Sequence, residues 1–176
     1  MRLDHIAYRT RDRSAAAKFF IDTLGYKLSE DIPEGFDIQF EDNSVANCLV
    51  LTPPEHTHSR ISEVFSLSKT EEYHAPPEIF VSDGTEDSIV AKWVEDNGPG
   101  IHHIAYEVES VSETMKVWRD EQGIKFLSEE PLQCPGLIQV FTEPHPITGI
   151  IYELIERETQ GFCQENVKDL MESTNE

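Results

Sequence analysis

The sequence predicts an α+β fold made of two tandem β-α-β-β-β modules, and three observations carry that expectation. The tetrapeptide HIAY occurs at residues 5–8 and again at 103–106. The register then holds without a gap: Ser14 matches Ser112, Lys18 matches Lys116, Phe20 matches Trp118, Asp22 matches Asp120 and Gly25 matches Gly123. One inserted residue later, LSEDIP from Leu28 parallels LSEEP from Leu127, and IQF at Ile38 parallels IQV at Ile138. Each copy also passes from a period-two pattern to a helical one and back to short apolar runs. Self-similarity at a fixed spacing marks a duplicated unit.

Each copy opens with a strand. In DHIAYRT, alternation puts His5, Ala7 and Arg9 on one face and Ile6, Tyr8 and Thr10 on the other. The second copy sets His103, Ala105 and Glu107 opposite Ile104, Tyr106 and Val108, so that His102 faces away from His103. A helix follows, with Asp12 or Ser14 as its cap, Ala16, Phe19, Phe20 and Leu24 as its apolar stripe, and Gly25 as its stop. Its counterpart opens at Ser112, packs Met115 and Trp118, and closes at Gly123. Three strands complete each unit: YKLSEDI, FDIQF and NCLVLT in the first, IKFLSE, LIQVFT and IIYELIE in the second. The modules are therefore residues 1–52 and 101–157. Between them, residues 53–100 hold an insertion with HTHSRISEVF, the strand-like run EIFVSDG and a helix, DSIVAKWVEDNG. Residues 158–176 read as a final helix with Val167, Leu170 and Met171 on its inner face.

Composition narrows the class of function. At 38% hydrophobic the chain can build a core, yet no apolar run nears the roughly 20 residues a bilayer span needs. The opening MRLDHIAYRT reads as strand and not as an apolar leader, which leads to the expectation of a cytoplasmic protein. Cys48, Cys134 and Cys163 are odd in number and widely spaced, which fits a reducing compartment without a disulfide framework. With 34 acidic against 14 basic residues the net charge is −20, a surface that repels nucleic acid and anionic membranes. The expected partner is a small molecule, and a homodimer stays open.

This pattern resembles the vicinal oxygen chelate superfamily (glyoxalases, bleomycin resistance proteins and dioxygenases) over nearly the whole chain. The resemblance implies two modules side by side, forming a curved, mostly antiparallel eight-stranded sheet around a divalent metal. It also implies metal ligands on the first and last strands of the modules: His5, His103 and, within IIYELIE, Glu153. A lone histidine in a strand is more often packed or exposed. Two at repeat-related positions on one face, each two residues before a small alanine, favour ligation. The apolar neighbours Ile151 and Ile155 would desolvate the Glu153 carboxylate, which then needs a cation or hydrogen bonds to compensate it. A buried ion pair is the alternative for Glu153. His56, His58 and His74 are expected on the surface.

Folding the repeat onto itself puts Leu49 opposite Glu153, or Cys48 one step away, so Leu49 is expected to line the pocket with no polar fourth ligand. Glu78 is the alternative, as a fourth ligand or a base, if EIFVSDG is the inner strand. Two histidines and one carboxylate with open positions form the facial triad of non-haem Fe(II) oxygenases. Two local resemblances then diverge. SIVAKWVEDNGPGIHHIAYEV resembles methylmalonyl-CoA epimerases, whereas LIQVFTEP, YELIER and QGFCQENVKDLMES resemble the end of 4-hydroxyphenylpyruvate dioxygenases. Those enzymes carry a lid helix after GFGxGNF. Here Cys163, Glu165 and Val167 replace the Gly, Gly and Phe, and Met171 replaces a second Phe, which points to a small 2-oxo acid other than hydroxyphenylpyruvate. The expected function is an Fe(II) dioxygenase acting on such an acid, with Val167, Leu170 and Met171 in a lid over the pocket. The alternatives are an epimerase or glyoxalase-type isomerase using Co, Ni, Zn or Mg, with Glu153 or Glu78 moving the proton, and a non-catalytic small-ligand-binding module.

Overall fold

The chain runs β1 (Arg2–Arg9), α1 (Arg13–Leu24), β2 (Lys27–Leu28), β3 (Phe36–Gln39), β4 (Val45–Thr52), β5 (Glu78–Gly84), α2 (Ile89–Asn97), β6 (Gly100–Glu107), α3 (Val111–Gln122), β7 (Leu132–Cys134), β8 (Leu137–Phe141), β9 (Ile151–Arg157) and α4 (Gln164–Ser173). This computed structural model describes residues 1–54, 76–158 and 163–173. HTHSRISEVF, with His56 and His58, and also His74, lie outside the described residues.

Among the described residues nine strands join one mostly antiparallel sheet in the order β2-β4-β5-β1-β6-β9-β8-β7, with β3 also paired to β4. The duplication is visible in the pairing. In each half the first and last strands lie parallel, β1 beside β5 and β6 beside β9, and the strand before the last returns antiparallel. Antiparallel pairing of β1 with β6 joins the halves. EIFVSDG, assigned by its sequence to the insertion, is thus β5, the inner strand of the first half and the counterpart of β9. IKFLSE contributes only an isolated bridge, Phe126 to Thr142, and the edge strand β7 forms later.

Alternation along the strands sorts side chains into two layers. Leu49, Leu51, Ile79 and Val81 face α1 together with Ala17 and Tyr26. Val140 and Leu154 face α3 with Val111 and Met115. On the opposite face Phe36, Cys48 and Val50 pack with Ile89 and Val90 of α2 and Met171 of α4, while Leu170 packs on Phe141 and Ile151. Each such fully buried Val, Leu or Ile contributes roughly 1.5–3 kcal/mol.

Local chemistry sets the boundaries. The Asp12 side chain accepts from the Ala15 amide and Gly25 closes α1 at φ 76. The equivalent cap of α3 is Ser110, two residues before the expected Ser112. Phe19, expected in the apolar stripe of α1, is 54% exposed and Leu24 is also exposed, because Ala16, Ala17, Phe20 and Ile21 form the packed face. Gly35, at φ 74, is a close approach: a Cβ there would sit 2.0 Å from the Cys48 carbonyl oxygen. That contact lets β3 fold back on β4 and places Phe36 in the cavity wall.

Candidate metal centre

The seam between β1 and β6 contains two bulges. Asp4 and His5 together oppose Ala105, and His102 and His103 together oppose Ala7. A bulge sets successive side chains on one side of a strand, which strict alternation forbids. The pair is related by the repeat, since Asp4 and His5 occupy the positions of His102 and His103. The recurrence of HIAY therefore encodes a bulge, a histidine and a small opposing alanine, once from each side. It also overturns the expectation that His102 faces away: both His102 and His103 are buried and line the same cavity.

Three donor atoms converge at this seam. His5 Nε2 lies 3.3 Å from His103 Nε2 and 3.2 Å from Glu153 Oε2, and His103 Nε2 lies 3.4 Å from the same oxygen. Glu153, paired with Ala105 on β9, is 1% exposed. Two imidazole nitrogens and a carboxylate oxygen packed this closely fit a divalent cation. The same three residues form the buried group of potential ligands. Among the described residues the other such group, Cys134, Cys163 and Glu165, includes a disulfide between Cys134 and Cys163, a pairing against the sequence expectation of no disulfide framework.

Each ligand candidate is held from behind. His5 Nδ1 bonds Asp4 Oδ1 at 2.7 Å, and Arg157 grips the same carboxylate through Nε at 3.0 Å and Nη2 at 2.9 Å. Burial opposes ionisation of Asp4, but the His5 and Arg157 hydrogen bonds outweigh it and hold this carboxyl well below its usual range. Burial likewise lowers His5, yet Glu153 and Asp4 raise it to about 9, so in the metal-free protein a proton occupies this imidazole. His103 Nδ1 meets His102 Nδ1 at 3.0 Å, and burial with His5 and Arg9 nearby keeps His103 neutral. With its Nε2 lone pair turned to the cluster, His103 carries its proton on Nδ1 and donates it to His102. Gln139 on β8 donates to Glu153 Oε1, and Asn166 of α4 donates to Gln139 Oε1 at 2.8 Å. A line of amides thus connects α4 to the carboxylate.

The fourth position belongs to β5. Register pairs Ala7 with Phe80 as it pairs Ala105 with Glu153, and the Phe80 ring stands 4.7 Å from the His5 ring. Leu49, expected here, instead points into the layer under α1 and does not line the cavity. The assignment shifted because β4 was read as the last strand of its module. Glu78 pairs with His5 in register but lies outside the donor group, beside Asp4 and Arg157, and burial raises its carboxyl. Val167, Leu170 and Met171 line a cavity of about 50 Å³, by the measure in which a single water takes roughly 10–15 Å³.

Asp4, Arg9, Gln139 and Asn166 were missed from sequence as site residues, though two of the four carried a signal. Gln139 is the polar residue within the apolar run LIQVF, and Arg9, also in the cavity wall, shares the face of His5 by strict alternation. Asp4 required the bulge.

Residues 4–136 match the model of the Glyoxalase/Bleomycin resistance protein/Dioxygenase superfamily. Mitochondrial methylmalonyl-CoA epimerase from Mus musculus is 25% identical over 153 residues, covering 87% of this chain and 71% of that protein. The Homo sapiens protein of that name is 26% identical over 155 residues, with 87% and 72% covered. Among solved structures, a Streptomyces coelicolor methylmalonyl-CoA epimerase superposes with a TM-score of 0.58 at 23% identity, covering 90% of this chain and 99% of that one. A mutant of 4-hydroxymandelate synthase from Streptomyces coelicolor superposes with a TM-score of 0.74 at 16% identity over 99% of this chain and 53% of that one.

Proposed function

The chain belongs to the glyoxalase/bleomycin resistance protein/dioxygenase superfamily, and from that footing we propose that it is a non-haem Fe(II) dioxygenase acting on a small 2-oxo acid. The observation that carries this reading is Phe80 at the fourth position, which leaves His5, His103 and Glu153 as a three-residue face. His5, His103 and Glu153 would hold a divalent metal through three donors, the ligand set of Fe(II) oxygenases that act on 2-oxo acids. The metal, when bound, supplies Lewis acidity for the acid and electrons for dioxygen.

The protein's own contribution is orientation and exclusion. Asp4 fixes the His5 proton on Nδ1, and Gln139 holds the Glu153 carboxylate in one rotamer. Phe80, Phe141, Val167, Leu170 and Met171 give the cavity apolar walls that keep water from the reacting groups. Helix α4 closes over it as a lid, tied by Asn166 to Gln139.

A second reading, metal-dependent epimerisation, is favoured by the similarity to methylmalonyl-CoA epimerases over 87% of this chain. That reaction removes a proton from one face of a carbon and returns it on the other, which calls for bases beside the metal. Among the described residues lining the cavity the single carboxylate is Glu153, already facing the two histidines. The deciding experiment is anaerobic reconstitution with Fe(II), followed by oxygen uptake with a panel of 2-oxo acids. Oxygen consumption with release of carbon dioxide supports the dioxygenase. No uptake with any acid, together with Co(II)-supported epimerisation of methylmalonyl-CoA, overturns it.

A further inference from the structure

We propose that the Cys134–Cys163 disulfide is a redox latch, which fastens α4 over the metal cavity and whose reduction by a dithiol loosens that lid and speeds loss of the metal. This rests on the metal site and lid proposed above and is independent of the reaction that runs there. Cys134 ends β7, the strand at one edge of the sheet, and Cys163 immediately precedes α4. Their Cα atoms are 6.3 Å apart, within the span a single bridge covers. Val167, Leu170 and Met171 pack the middle and end of the helix. Its start is joined to the sheet by the bridge and by Asn166, which donates to Gln139. The two fastenings touch, since Cys134 Sγ lies 3.5 Å from Asn166 Oδ1.

The bridge spans 29 positions of chain, and that loop contains β8 and β9 with both Gln139 and Glu153. A cross-link limits how far an opened α4 can travel, so less entropy is lost when it docks again. Without the bridge, charge works against docking: α4 carries Glu165, Asp169 and Glu172 against Lys168, in a chain of net charge −20. Once Asn166 lifts away, Gln139 Oε1 loses its donor, and the Gln139 amide is freer to leave Glu153 Oε1. Partners behind a ligand set metal affinity by about 10- to 100-fold, and Asn166 stands one layer further out, at the low end of that range.

Access suits exchange. Cys134 and Cys163 are half-buried at the sheet edge, where a thiolate can reach a sulfur, whereas the third cysteine, Cys48, is buried. A thiolate of the dithiol attacks one bridge sulfur and breaks the S–S bond, and its second thiol then resolves the mixed disulfide. Cys134 and Cys163 become thiols, gaining two electrons and two protons, and the reductant leaves as a disulfide.

Three measurements on the whole chain test the latch. Thiol titration after unfolding should count one thiol in the air-oxidised protein and three after treatment with dithiothreitol. Hydrogen exchange over Gln164–Ser173 should quicken at least about tenfold on reduction. With the dithiol removed before loading, Co(II) should pass to a chelator about tenfold faster from the reduced protein than from the oxidised one. The double variant Cys134→Ser, Cys163→Ser has no thiols there to capture cobalt; it should match the reduced native chain and ignore the dithiol. Three thiols in the oxidised protein, unchanged exchange over α4, cobalt release indifferent to reduction, or a variant that still responds would each overturn the latch. Oxygen uptake by the Fe(II) protein with none of these responses would overturn the latch and spare the dioxygenase reading. The full set of responses in a chain that consumes no oxygen would do the reverse.

Discussion

Replacing Asp4 by Asn separates its two tasks, because the amide keeps the shape and loses the charge. The Asp4 and Arg157 side chains are 9% and 11% exposed and share two hydrogen bonds. Breaking a buried ion pair costs about 3–5 kcal/mol; Asn still offers one acceptor, so about 3 kcal/mol is expected. Behind His5, loss of the carboxylate weakens a second-layer contact of the kind that sets metal affinity by about 10- to 100-fold, or about 1.4–2.8 kcal/mol. The pH dependence has a definite sign. Asp4 is depressed in the folded state, so its contribution is present above the unfolded carboxyl value of about 3.9 and fades as pH falls below it. Urea unfolding of metal-free protein should show a gap between the native chain and Asp4→Asn that is steady from pH 5 to 7 and shrinks below about pH 4. Competitive metal titration at pH 7 reads the second effect. An unchanged metal affinity, or a stability gap indifferent to acid, would refute the role assigned to Asp4.

Four further outcomes are expected. His5→Ala, His103→Ala and Glu153→Ala should each lose bound metal by elemental analysis, whereas His102→Ala, which removes only the partner of His103 Nδ1, should lower affinity about tenfold; full occupancy in His103→Ala would show that the ligand set is wrong. Phe80→Glu places a carboxylate 4.7 Å from the centre of the His5 ring, as the replaced ring stands now, and should tighten metal binding by about tenfold (roughly 1.4 kcal/mol) while abolishing oxygen uptake. Because His5 is raised to about 9, metal must displace a proton at neutral pH; affinity should therefore rise about tenfold per pH unit from 7 towards 9 and then level, and a flat profile would contradict the His5 assignment. Removal of α4 by truncation after Arg157 should impair turnover more than metal binding, and Asn166→Ala should raise KM by releasing Gln139; a folded truncate with full activity would rule out a lid.

The duplication could be read directly, because matching apolar periods and matching Gly stops recur in one register. His5, His103 and Glu153 were nameable through the resemblance and supported by their neighbours. What failed was local geometry beyond simple alternation. A period of two assigns neighbours to opposite faces, so His102 was sent outward and Asp4 was ignored; the bulges reverse both. The identity of the fourth position failed for a different reason. NCLVLT is adjacent in sequence to the other strands of its half, but EIFVSDG, beyond the insertion, takes the place beside β1 because its apolar Ile79 and Val81 complete the layer under α1. Cys134 and Cys163 are 29 positions apart, and no spacing rule would have joined them; α4 folding back against β7 does so. Val167, Leu170 and Met171 were recoverable from helical spacing, but Asn166, one residue earlier and equally inward, is polar and so falls outside any apolar stripe.

The seam also has a kinetic consequence. His5 and His103 are 98 positions apart and Arg157 reaches Asp4 across 153, whereas α1 and α3 close from within their own halves. Contacts spanning so much chain carry the largest closure entropy and form late. The donor cluster should therefore be absent from the folding barrier and present only in its product. A cation captured there lengthens the lifetime of the folded chain without hastening its assembly. Metal-free chains would still fold at an ordinary rate, but open along β1 and β6 far more often.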